Sequence, residues 1–584
     1  MNFDGKRVAV AGLGVSGLAA ASALAPLGAE LTLVDDAQTV PPIGAGAPSA
    51  GSGRAGRDLG GPNSPGETGW AAEPGGSDAP QILRRQWPAE GAVVASDEVA
   101  VEELDLVVAS PGWSPASPLL ARARAAGKPI WSEVELAWRL RANPEAAWLV
   151  VTGTNGKTTT VQMLESILAA QGRRVRAAGN LGDPLVTAVA DPTVEVFAVE
   201  LSSFQLHHTY SMEPLAGAVL NIAPDHLDWH ASYEEYQRDK GRALAQAQRA
   251  AVYNAADPAT RVLAEAAACA AANGASPHYG RGGVVGPVGF TLGAPGPGQV
   301  GLAGGWLADR AFHSRGRRHA RELASVDDLA HLAGPGGRLA PHVVANALAA
   351  AALALAVADV DQARGGVDGI GQGLRDFKPG AHRLAQVAEV GGARYVDDSK
   401  ATNAHAADAA LAGFAPGSVV WIAGGLAKGA RFEELVARRA DRLKAAVLIG
   451  RDRSALVEAL AKRAPDVPVV EVDGGGPVLA AGGASLDDGV DPGGGGPGHG
   501  AGVSADGETV MRRAVQTAAR LARPGDVVLL APASASMDQF ASYAERGDAF
   551  ARAVAALARD AAARPVRLGV GGEAAPAAGA EAAR

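Results

Sequence analysis

The chain of 584 residues has only one cysteine, Cys269, which excludes a disulfide framework and a metal site built on cysteine ligands. It has no dense stripe of lysine and arginine, and its formal net charge is −9, which argues against a nucleic-acid-binding protein. The start, MNFDGKRVAV, lacks the apolar segment of a secretion signal. The Ala/Leu run after Asn346 is too short and too rich in small residues to cross a bilayer. We therefore expect a soluble, cytoplasmic protein that binds neither membranes nor nucleic acid.

The pattern of strands and helices indicates several domains. A length of 584 residues suggests two to four domains, and strands that alternate with helices are typical of α/β domains with parallel sheets. We predict three such domains, at residues 1–146, 147–379 and 380–570, followed by a disordered tail at 571–584. Segments rich in glycine and proline lose all periodicity at about 41–80 and 474–508, and we predict that they are disordered insertions. A Gly-rich stretch near 281–305 is also expected to be loose.

The most informative segment is WLVVTGTNGKTTT, residues 148–160. Four apolar residues predict a buried parallel strand, a glycine loop follows, and Lys157 and Thr158 begin a predicted helix. Proteins hold the triphosphate of ATP in this way, because backbone N–H groups and the helix N-terminus face the phosphates while the lysine neutralises charge and the hydroxyl reaches Mg²⁺. Val151 stands where the longer P-loop pattern has its first glycine.

Two further patterns suggest ligand sites. Near the start of the chain, a glycine motif (GLGVSG, residues 12–17) follows a strand, and Asp35 ends the next strand, as in dinucleotide-binding domains. In the central domain, Glu200 ends a predicted strand at the edge where ligands bind, so it is a candidate Mg²⁺ ligand. His226 follows the next strand and is either a ligand or an ordinary loop histidine. Lys240 lies on a predicted helix, where a lysine is ordinarily solvated.

By themselves, these motifs leave two function classes open. The first is an NAD-dependent oxidoreductase, suggested by the first glycine motif, and the second is a P-loop regulatory ATPase. Binding of a UDP-sugar without NADH would exclude the first. Phosphate release that depends on an amino acid would exclude the second.

Several features follow one another along the chain: TGTNGKTT, GN before a leucine, ELSSFQL, NIAPDHLDWH, the helical Lys240 and HR…DDSKATN. In this order they resemble the Mur ligases, enzymes that add amino acids to the cell-wall precursor. The segments DSKATN (398–403) and SASMDQF (534–540) are most similar to the branch that adds D-glutamate to UDP-N-acetylmuramoyl-L-alanine. The resemblance covers nearly all of the chain outside the insertions. It implies an α/β fold with a Rossmann-like UDP-binding domain, a central P-loop ATPase domain with a parallel sheet, and a C-terminal Rossmann-like domain.

The resemblance also implies a role for each matching residue. The ATP contacts would be Gly153, Thr154, Asn155, Gly156, Lys157, Thr158, Thr159, Asn346, Arg383 and Asp398. The contacts of the UDP-linked substrate would be Gly14, Ser16, Gly17, Asp35, Ser110, Pro111, Gly112, Asn180 and Ser202. The D-glutamate contacts would be Lys400, Thr402, Lys428, Ser536 and Tyr543. Two Mg²⁺ ions would be held by Thr158, Glu200, His226 and Lys240, with Lys240 carbamylated by CO₂ into a carboxylate-like ligand.

The reaction implied by the resemblance is the attack of a substrate carboxylate on the γ-phosphate of ATP, which gives an acyl-phosphate and ADP. The amine of D-glutamate then attacks the acyl carbon, and phosphate leaves. Lys157, His226 and Lys240 are the expected catalytic residues, and we expect a monomer. Three positions depart from the family pattern, Leu426, Val343 and Tyr543, and none belongs to the metal or phosphate set.

Overall fold

The computed structural model describes residues 1–36, 93–226, 229–270, 286–312, 319–333, 339–358, 367, 369–427, 429–473, 477–479 and 507–563. The chain divides into two compact units, residues 1–328 with 345–377, and residues 329–344 with 378–584. The predicted insertion at 41–80, most of that at 474–508, and the tail at 571–584 lie outside the described residues, as do Asp228 and Lys428. Because the predicted boundary near residue 146 falls inside the first unit, the domain boundaries stay a prediction.

The first sheet of the first unit is parallel, with the order β3-β2-β1-β4-β5. Its strands are β1 (Arg7–Ala11), β2 (Glu30–Val34), β3 (Val93–Val94), β4 (Leu106–Ala109) and β5 (Ile130–Ser132). The helices are α1 (Val15–Leu24), α2 (Pro118–Ala125) and α3 (Glu133–Leu140). Because the chain moves from β1 to one side and later returns to the other side at β4, the strand order reverses between these two strands. In open α/β sheets, ligands bind at the carboxyl ends of the strands at such a point.

The central sheet also belongs to the first unit and has the order β14-β13-β12-β11-β10-β9-β6-β8-β7. Its strands are β6 (Ala147–Thr152), β7 (Val175–Gly179), β8 (Val196–Glu200), β9 (Ala216–Val219), β10 (Ala250–Asn254), β11 (Gly286–Phe290), β12 (Gln299–Ala303), β13 (Trp306–Asp309) and β14 (Arg321–Ser325). Pairing is parallel from β7 across to β12 and antiparallel from β12 to β14. The strand predicted to end at Glu200 and the next predicted strand are thus confirmed as β8 and β9.

The helices of this part of the chain are α4 (Lys157–Ala170), α5 (Leu185–Ala188), α6 (Ser203–His207), α7 (Tyr233–Ala245), α8 (Pro258–Ala270), α9 (Pro341–Ala358) and α10 (Ile370–Asp376). The expectation of a loose stretch near 281–305 is wrong for residues 286–305, which contain β11 and β12, while 281–285 lie outside the described residues. Glycine allows close approach here: a Cβ on Gly301 would lie 2.5 Å from the carbonyl oxygen of Gly293.

The sheet of the second unit has the order β15-β16-β21-β17-β18-β19-β20 and is parallel except for its two edge pairs. Its strands are β15 (Ala385–Val390), β16 (Ala393–Asp397), β17 (Val419–Gly424), β18 (Leu443–Ile449), β19 (Val469–Val472), β20 (Pro477–Leu479) and β21 (Val527–Leu530). The helices are α11 (Ala404–Leu411), α12 (Glu433–Arg439), α13 (Ser454–Arg463), α14 (Gly507–Leu521) and α15 (Tyr543–Ala563). The predicted insertion at 474–508 is therefore too long, since β20 lies within it and α14 begins at Gly507.

Short 3₁₀ helices lie at Ala25–Leu27, Ser96–Glu98, Val101–Glu103, Val326–Leu332 and Ala440–Arg442. Among the helices in the described ranges, none is both long and apolar enough to span a bilayer. The interior strands are apolar on both faces, as parallel strands covered by helices on both sides require. The sheet of the second unit accordingly has a buried apolar cluster on each face.

Glu133, the first residue of α3, is a buried carboxyl in the first unit. It is 3% exposed, and its Oε1 atom accepts a hydrogen bond from the backbone N–H of Val186 at 2.5 Å. Burial raises the pKa of Glu133 to about 7 from the usual 4.5. The folded protein therefore retains a proton between these two values that the unfolded chain has lost, so Glu133 makes the free energy of unfolding fall as pH rises through that window.

We expect Glu133→Gln to remove this pH dependence. At pH 8 the free energy of unfolding of the variant should exceed that of the wild type by on the order of 3 kcal/mol, and its melting temperature should be higher. This difference in stability should vanish near pH 4. Thermal unfolding at several pH values measures this difference. Glu102→Gln, at an exposed carboxyl, is the matched control, and parallel pH profiles for wild type and Glu133→Gln would contradict the interpretation.

Candidate active site

The predicted strand, glycine loop and helix are present as β6, residues 153–156 and α4. Gly153 and Gly156 have φ angles of +154° and +87°, a region that favours glycine. A Cβ on Gly156 would lie 2.6 Å from Oδ1 of Asn346, so this buried amide packs directly against the loop. The loop therefore brings the helix N-terminus and Asn346, two predicted ATP contacts, to one place.

Two lysines converge on this loop. Lys157 donates from Nζ to the carbonyl oxygens of Gly153 at 2.9 Å and Thr154 at 3.0 Å, and Lys240 donates to the same Gly153 oxygen at 2.9 Å. Lys240 is only 2% exposed, so the ordinary interpretation of a helical lysine as a solvated charge is wrong here. Burial, together with the charge of Lys157, holds the pKa of Lys240 well below its usual value. A buried, neutral amine is the form that can react with an electrophile.

Glu200, the last residue of β8, has the properties of a metal ligand. It is 2% exposed, and its Oε1 atom accepts a hydrogen bond from Nδ2 of Asn180 at 2.9 Å. Its Oε2 atom is buried and has no hydrogen-bond partner among the described residues. Since an unpaired carboxylate oxygen inside a protein is costly, a cation beside Oε2 would satisfy it. The predicted metal ligand and predicted substrate contact are thus direct neighbours.

Tyr236, which the motif analysis did not single out, and Asn221, in the motif after β9, hold the phosphate loop in shape. The hydroxyl of Thr154 lies 2.9 Å from that of Tyr236, and the side chain of Asn221 accepts from the Asn155 N–H at 2.8 Å and donates to the Asn155 carbonyl at 3.0 Å. Nζ of Lys240 lies 4.7 Å from the centre of the Tyr236 ring. A signal for Tyr236 was available, because it precedes Lys240 by four residues and so shares its helix face.

His226 lies in the loop after β9 and has an unusual backbone. Its φ angle is +54°, in the left-handed region that residues other than glycine adopt at a cost. Its ring centre lies 4.8 Å from that of Phe204, and its Nε2 atom lies 3.7 Å from a carboxylate oxygen of Asp225. The side chain is 39% exposed, so its imidazole can be reached by a ligand.

Most of the residues predicted to contact the UDP-linked substrate lie at the carboxyl edge of the first sheet. The Ser110 hydroxyl donates to the Gly12 carbonyl at 2.6 Å, and Asp35 accepts from the Leu13 N–H at 3.1 Å. A Cβ on Gly17 would lie 1.8 Å from the Gly12 oxygen, so that helix and turn can approach only through glycine. The turns that contain these residues also hold the other predicted contacts, Gly14, Ser16, Pro111 and Gly112. Ser202, by contrast, caps α6 by accepting from the Gln205 N–H at 3.2 Å.

In the second unit, residues predicted to bind D-glutamate also lie together. Lys400 donates to the Tyr543 hydroxyl at 3.1 Å, and Ser399 donates to the Tyr543 carbonyl at 2.7 Å. The backbone of Thr402 donates to the carbonyl of Lys400 at 2.9 Å, and Ser536 is 4% exposed. Lys428 lies outside the described residues, so its predicted contact with D-glutamate stays a prediction.

Asp398 and Arg383, two predicted nucleotide contacts, are electrostatic neighbours in the second unit. Burial raises the pKa of Asp398 to about 7, although the Leu384 N–H and the charge of Arg383 oppose the rise. His382, which precedes Arg383, has its Nδ1 atom 2.7 Å from a carboxylate oxygen of Asp397 and a φ angle of +62°. That hydrogen bond raises the pKa of His382 and fixes the turn that carries Arg383.

Comparison with known proteins places these residues in a family. Residues 151–280 match the Mur ligase middle domain, and residues 382–534 match the Mur ligase, glutamate ligase domain. Among solved structures, the UDP-N-acetylmuramate-alanine ligase of Thermotoga maritima is 15% identical, with 94% of this chain and 99% of that one covered and a TM-score of 0.47. The UDP-N-acetylmuramoylalanine–D-glutamate ligase of Streptomyces avermitilis is 47% identical over 95% of this chain and 99% of its own length. The chain belongs to the Mur ligase family. The ligase of the same name from Thermobifida fusca is 44% identical over 96% of this chain and all of its own.

Arg546 is a residue of this Mur ligase that sequence reasoning missed. It lies on α15 and is 1% exposed. It donates to Ser399 twice, from Nη2 to the carbonyl at 2.9 Å and from Nε to the hydroxyl at 3.1 Å. Its Nη1 atom donates to the Ser534 carbonyl at 3.1 Å. Burial lowers the pKa of Arg546 to about 10, so it remains charged at neutral pH. It joins the loops that hold the predicted D-glutamate residues Lys400 and Ser536.

We expect Arg546→Lys to destabilise the Mur ligase, because an ammonium group cannot make the three hydrogen bonds of a guanidinium in this geometry. The loss should lower the free energy of unfolding by about 2–4 kcal/mol, since a hydrogen bond to a charged group contributes about 1.5–3 kcal/mol. Denaturant titration measures it. Arg552→Lys, at an exposed arginine of the same helix, should change stability by less than about 1 kcal/mol. Equal midpoints for the two variants would show that Arg546 does not hold these loops.

Proposed function

We propose that this Mur ligase joins D-glutamate to UDP-N-acetylmuramoyl-L-alanine at the expense of ATP, by way of an acyl-phosphate, in the synthesis of the peptidoglycan precursor. The observation that carries the proposal is the 47% identity, over nearly the whole of both chains, to a UDP-N-acetylmuramoylalanine–D-glutamate ligase. We further propose that the enzyme acts as a monomer in the cytoplasm, where its nucleotide substrates are available.

The geometry around the phosphate loop supports ATP chemistry. The N-terminus of α4 and the loop N–H groups can bind phosphate oxygens, and the ammonium group of Lys157 can move from the Gly153 and Thr154 carbonyls onto them. Its charge then offsets the negative charge that spreads over the γ-phosphoryl oxygens when the substrate carboxylate attacks. Asn346, packed against Gly156, would orient the nucleotide.

We propose that Thr158, Glu200, His226 and carbamylated Lys240 hold Mg²⁺ at two positions. The buried Oε2 atom of Glu200, which has no partner among the described residues, supports this assignment, because carboxylate oxygen is the ligand that Mg²⁺ prefers. When bound, the ions neutralise charge on the phosphoryl oxygens.

Carbamylation of Lys240 requires a neutral amine, and burial together with the charge of Lys157 favours that form by lowering the pKa of Lys240. The nitrogen lone pair adds to the carbon of CO₂ and an N–C bond forms, while one C=O π pair moves onto oxygen. The nitrogen then releases a proton, so that an anionic carbamate replaces the neutral amine. The two lysines that now share the Gly153 oxygen would then differ in charge, with Lys157 positive and the modified Lys240 negative.

For the second step, we propose that Lys400, Thr402, Lys428, Ser536 and Tyr543 bind the carboxylates of D-glutamate and direct its amine toward the acyl carbon. The contact between Lys400 and Tyr543 supports one recognition surface formed by the loop after β16 and the start of α15. The turn of Ser110 and the glycine loop after β1 would hold UDP.

The decisive experiment is phosphate release from ATP with UDP-N-acetylmuramoyl-L-alanine and each candidate amino acid in turn. We expect turnover with D-glutamate and little with L-alanine, L-glutamate, a diamino acid or a dipeptide. Turnover with another amino acid would reassign the enzyme within the family. Phosphate release that no amino acid changes, or binding of NADH in place of the UDP-linked substrate, would overturn the proposal.

We expect Ser536→Ala to raise the KM for D-glutamate by about 10- to 150-fold and to leave the KM for ATP nearly unchanged. The reason is the loss of one hydrogen bond to a charged carboxylate, about 1.5–3 kcal/mol. Initial rates with each substrate varied separately measure this. Ser418→Ala, at an exposed hydroxyl just before β17, is the matched control. Equal increases in both KM values would place Ser536 outside the D-glutamate pocket.

A further inference from the structure

A cluster of two histidines and one aspartate lies in the first unit, outside the set of residues assigned above. His207 ends α6, His230 precedes α7, and Asp239 lies on α7. Nδ1 of His207 is 2.7 Å from Oδ2 of Asp239, and Nδ1 of His230 is 3.3 Å from the same oxygen. One ligand atom from each residue lies within 4.8 Å of the others. The side chains of His230 and Asp239 are 0% and 2% exposed, and that of His207 is 13% exposed.

His230 presents a buried nitrogen to this cluster. Its Nε2 atom lies 2.9 Å from the Ser203 hydroxyl, which can accept the Nε2–H. In that tautomer Nδ1 carries a lone pair, and Nδ1 is buried and makes no hydrogen bond of acceptable geometry. In this tautomer the Nδ1 lone pair lies 3.3 Å from a carboxylate oxygen, an arrangement of two electron-rich atoms that a cation between them would stabilise.

Asp239 presents one carboxylate oxygen, Oδ2, to both histidines of the cluster. Arg242 approaches the other oxygen, Oδ1, at 3.4 Å. The Oδ2 atom is thus left to the two imidazoles.

We propose that His207, His230 and Asp239 form a binding site for a transition-metal dication of the Zn²⁺ class, separate from the Mg²⁺ positions. Two imidazole nitrogens and one carboxylate oxygen are a donor set that Zn²⁺ accepts and that Mg²⁺ avoids. With bonds of about 2.0–2.2 Å, tetrahedral zinc places its ligand atoms roughly 3.3–3.5 Å apart. The two separations from Asp239 are 2.7 and 3.3 Å and all three ligand atoms lie within 4.8 Å of one another, so rotation of the side chains would bring them to these distances.

The site also has a source for the fourth metal ligand and a route for the proton that the metal displaces. Glu235, whose Oε1 atom is 4.0 Å from Nδ1 of His207, or a water molecule can supply the fourth ligand. The proton that now lies between His207 and Asp239 leaves to solvent when the metal binds. Ser203 remains as the outer partner that fixes the His230 ring, as the second ring nitrogen of a metal-bound histidine usually requires.

Such an ion would tie α6 to α7 and so restrain the helix that carries Lys240. Asp239 directly precedes Lys240, but the two side chains leave the helix in different directions, toward His207 and toward Gly153. The metal would therefore have a structural role, and its binding can be measured without the ligase reaction.

The test uses the full-length protein, stripped of metals by a chelator and then kept in excess Mg²⁺ to fill the sites for hard cations. We expect calorimetry to show one equivalent of Zn²⁺ bound and a higher melting temperature, and Co²⁺ to give the visible absorption of a four-coordinate N/O site. Because loss of a residue that only supports a metal ligand weakens binding by about 10- to 100-fold, His230→Gln and His207→Gln should each weaken Zn²⁺ binding by at least about 100-fold.

Two variants serve as controls. His405→Gln, at an exposed histidine on α11, should bind Zn²⁺ as the wild type does, and so should His226→Ala, which alters the predicted Mg²⁺ site instead. Circular dichroism checks that each variant is folded, and Asp239→Asn replaces either histidine variant that is not. Absence of saturable Zn²⁺ binding to the wild type, unchanged affinity in the folded cluster variants, or loss of binding in His226→Ala alone would overturn the proposal.

Discussion

Replacing Lys240 by alanine is expected to reduce ligase turnover by on the order of 100-fold or more, because it removes the carbamate ligand proposed for Mg²⁺. A solvated lysine on a helix would give a silent variant. Lys240 is instead 2% exposed and donates to the Gly153 carbonyl of the phosphate loop. Lys462→Ala, at an exposed lysine on α13, provides the matched control and should keep full activity.

Chemical rescue separates a missing metal ligand from a damaged fold. The alanine variant leaves space beside Gly153 where acetate or formate can place a carboxylate in the position of the carbamate head. We expect added short carboxylates to restore part of the turnover of Lys240→Ala, and to have no effect on the wild type. Full activity of the variant would contradict the assignment of Lys240 as a ligand. Unmodified Lys240 in a crystal structure of the enzyme with Mg²⁺ and ATP, together with no rescue, would also contradict it.

Local sequence patterns predicted the elements that carry the phosphate site. The apolar run before Gly153 is β6, Lys157 begins α4, and Glu200 ends β8, because strand and helix signals lie within a few residues of each other in the chain. The burial of Lys240 could not be predicted in this way. It depends on the approach of α7 to a loop that lies 87 residues earlier, and the family resemblance alone indicated that this lysine is special.

Contacts between distant segments explain the other omissions. Arg546 meets the carbonyl of Ser399, 147 residues away, and His207 meets Asp239, 32 residues away. Neither pair has a spacing that a helix or strand pattern would reveal. The opposite error occurred near 281–305, where glycine composition suggested a loose segment although the glycines allow strands to pack closely. Glycine content indicates how freely the backbone can rotate, but contacts with neighbouring segments decide whether the segment forms a loop or a packed strand.

Replacing Lys157 by alanine is expected to lower turnover by on the order of 10³-fold, about 4 kcal/mol of transition-state stabilisation, because its charge acts on the transferring phosphoryl group. The fold should survive, since Lys157 is half-buried and donates to two backbone carbonyls, those of Gly153 and Thr154, without taking part in the apolar core. Single-turnover phosphate release measures the loss, and the melting temperature checks the fold.

Lys157 also affects the pKa of the neighbouring Lys240. Its positive charge contributes to the low pKa of Lys240, so Lys157→Ala should raise the pKa of Lys240 and leave less of the neutral amine that reacts with CO₂. The losses in Lys157→Ala and Lys240→Ala should therefore overlap, and the double variant should lose less than the product of the two. Short carboxylates should not rescue Lys157→Ala, because a carboxylate cannot replace its charge. Near-normal phosphate release in a folded Lys157→Ala, or fully multiplicative losses in the double variant, would show that the two lysines do not act on one phosphate site.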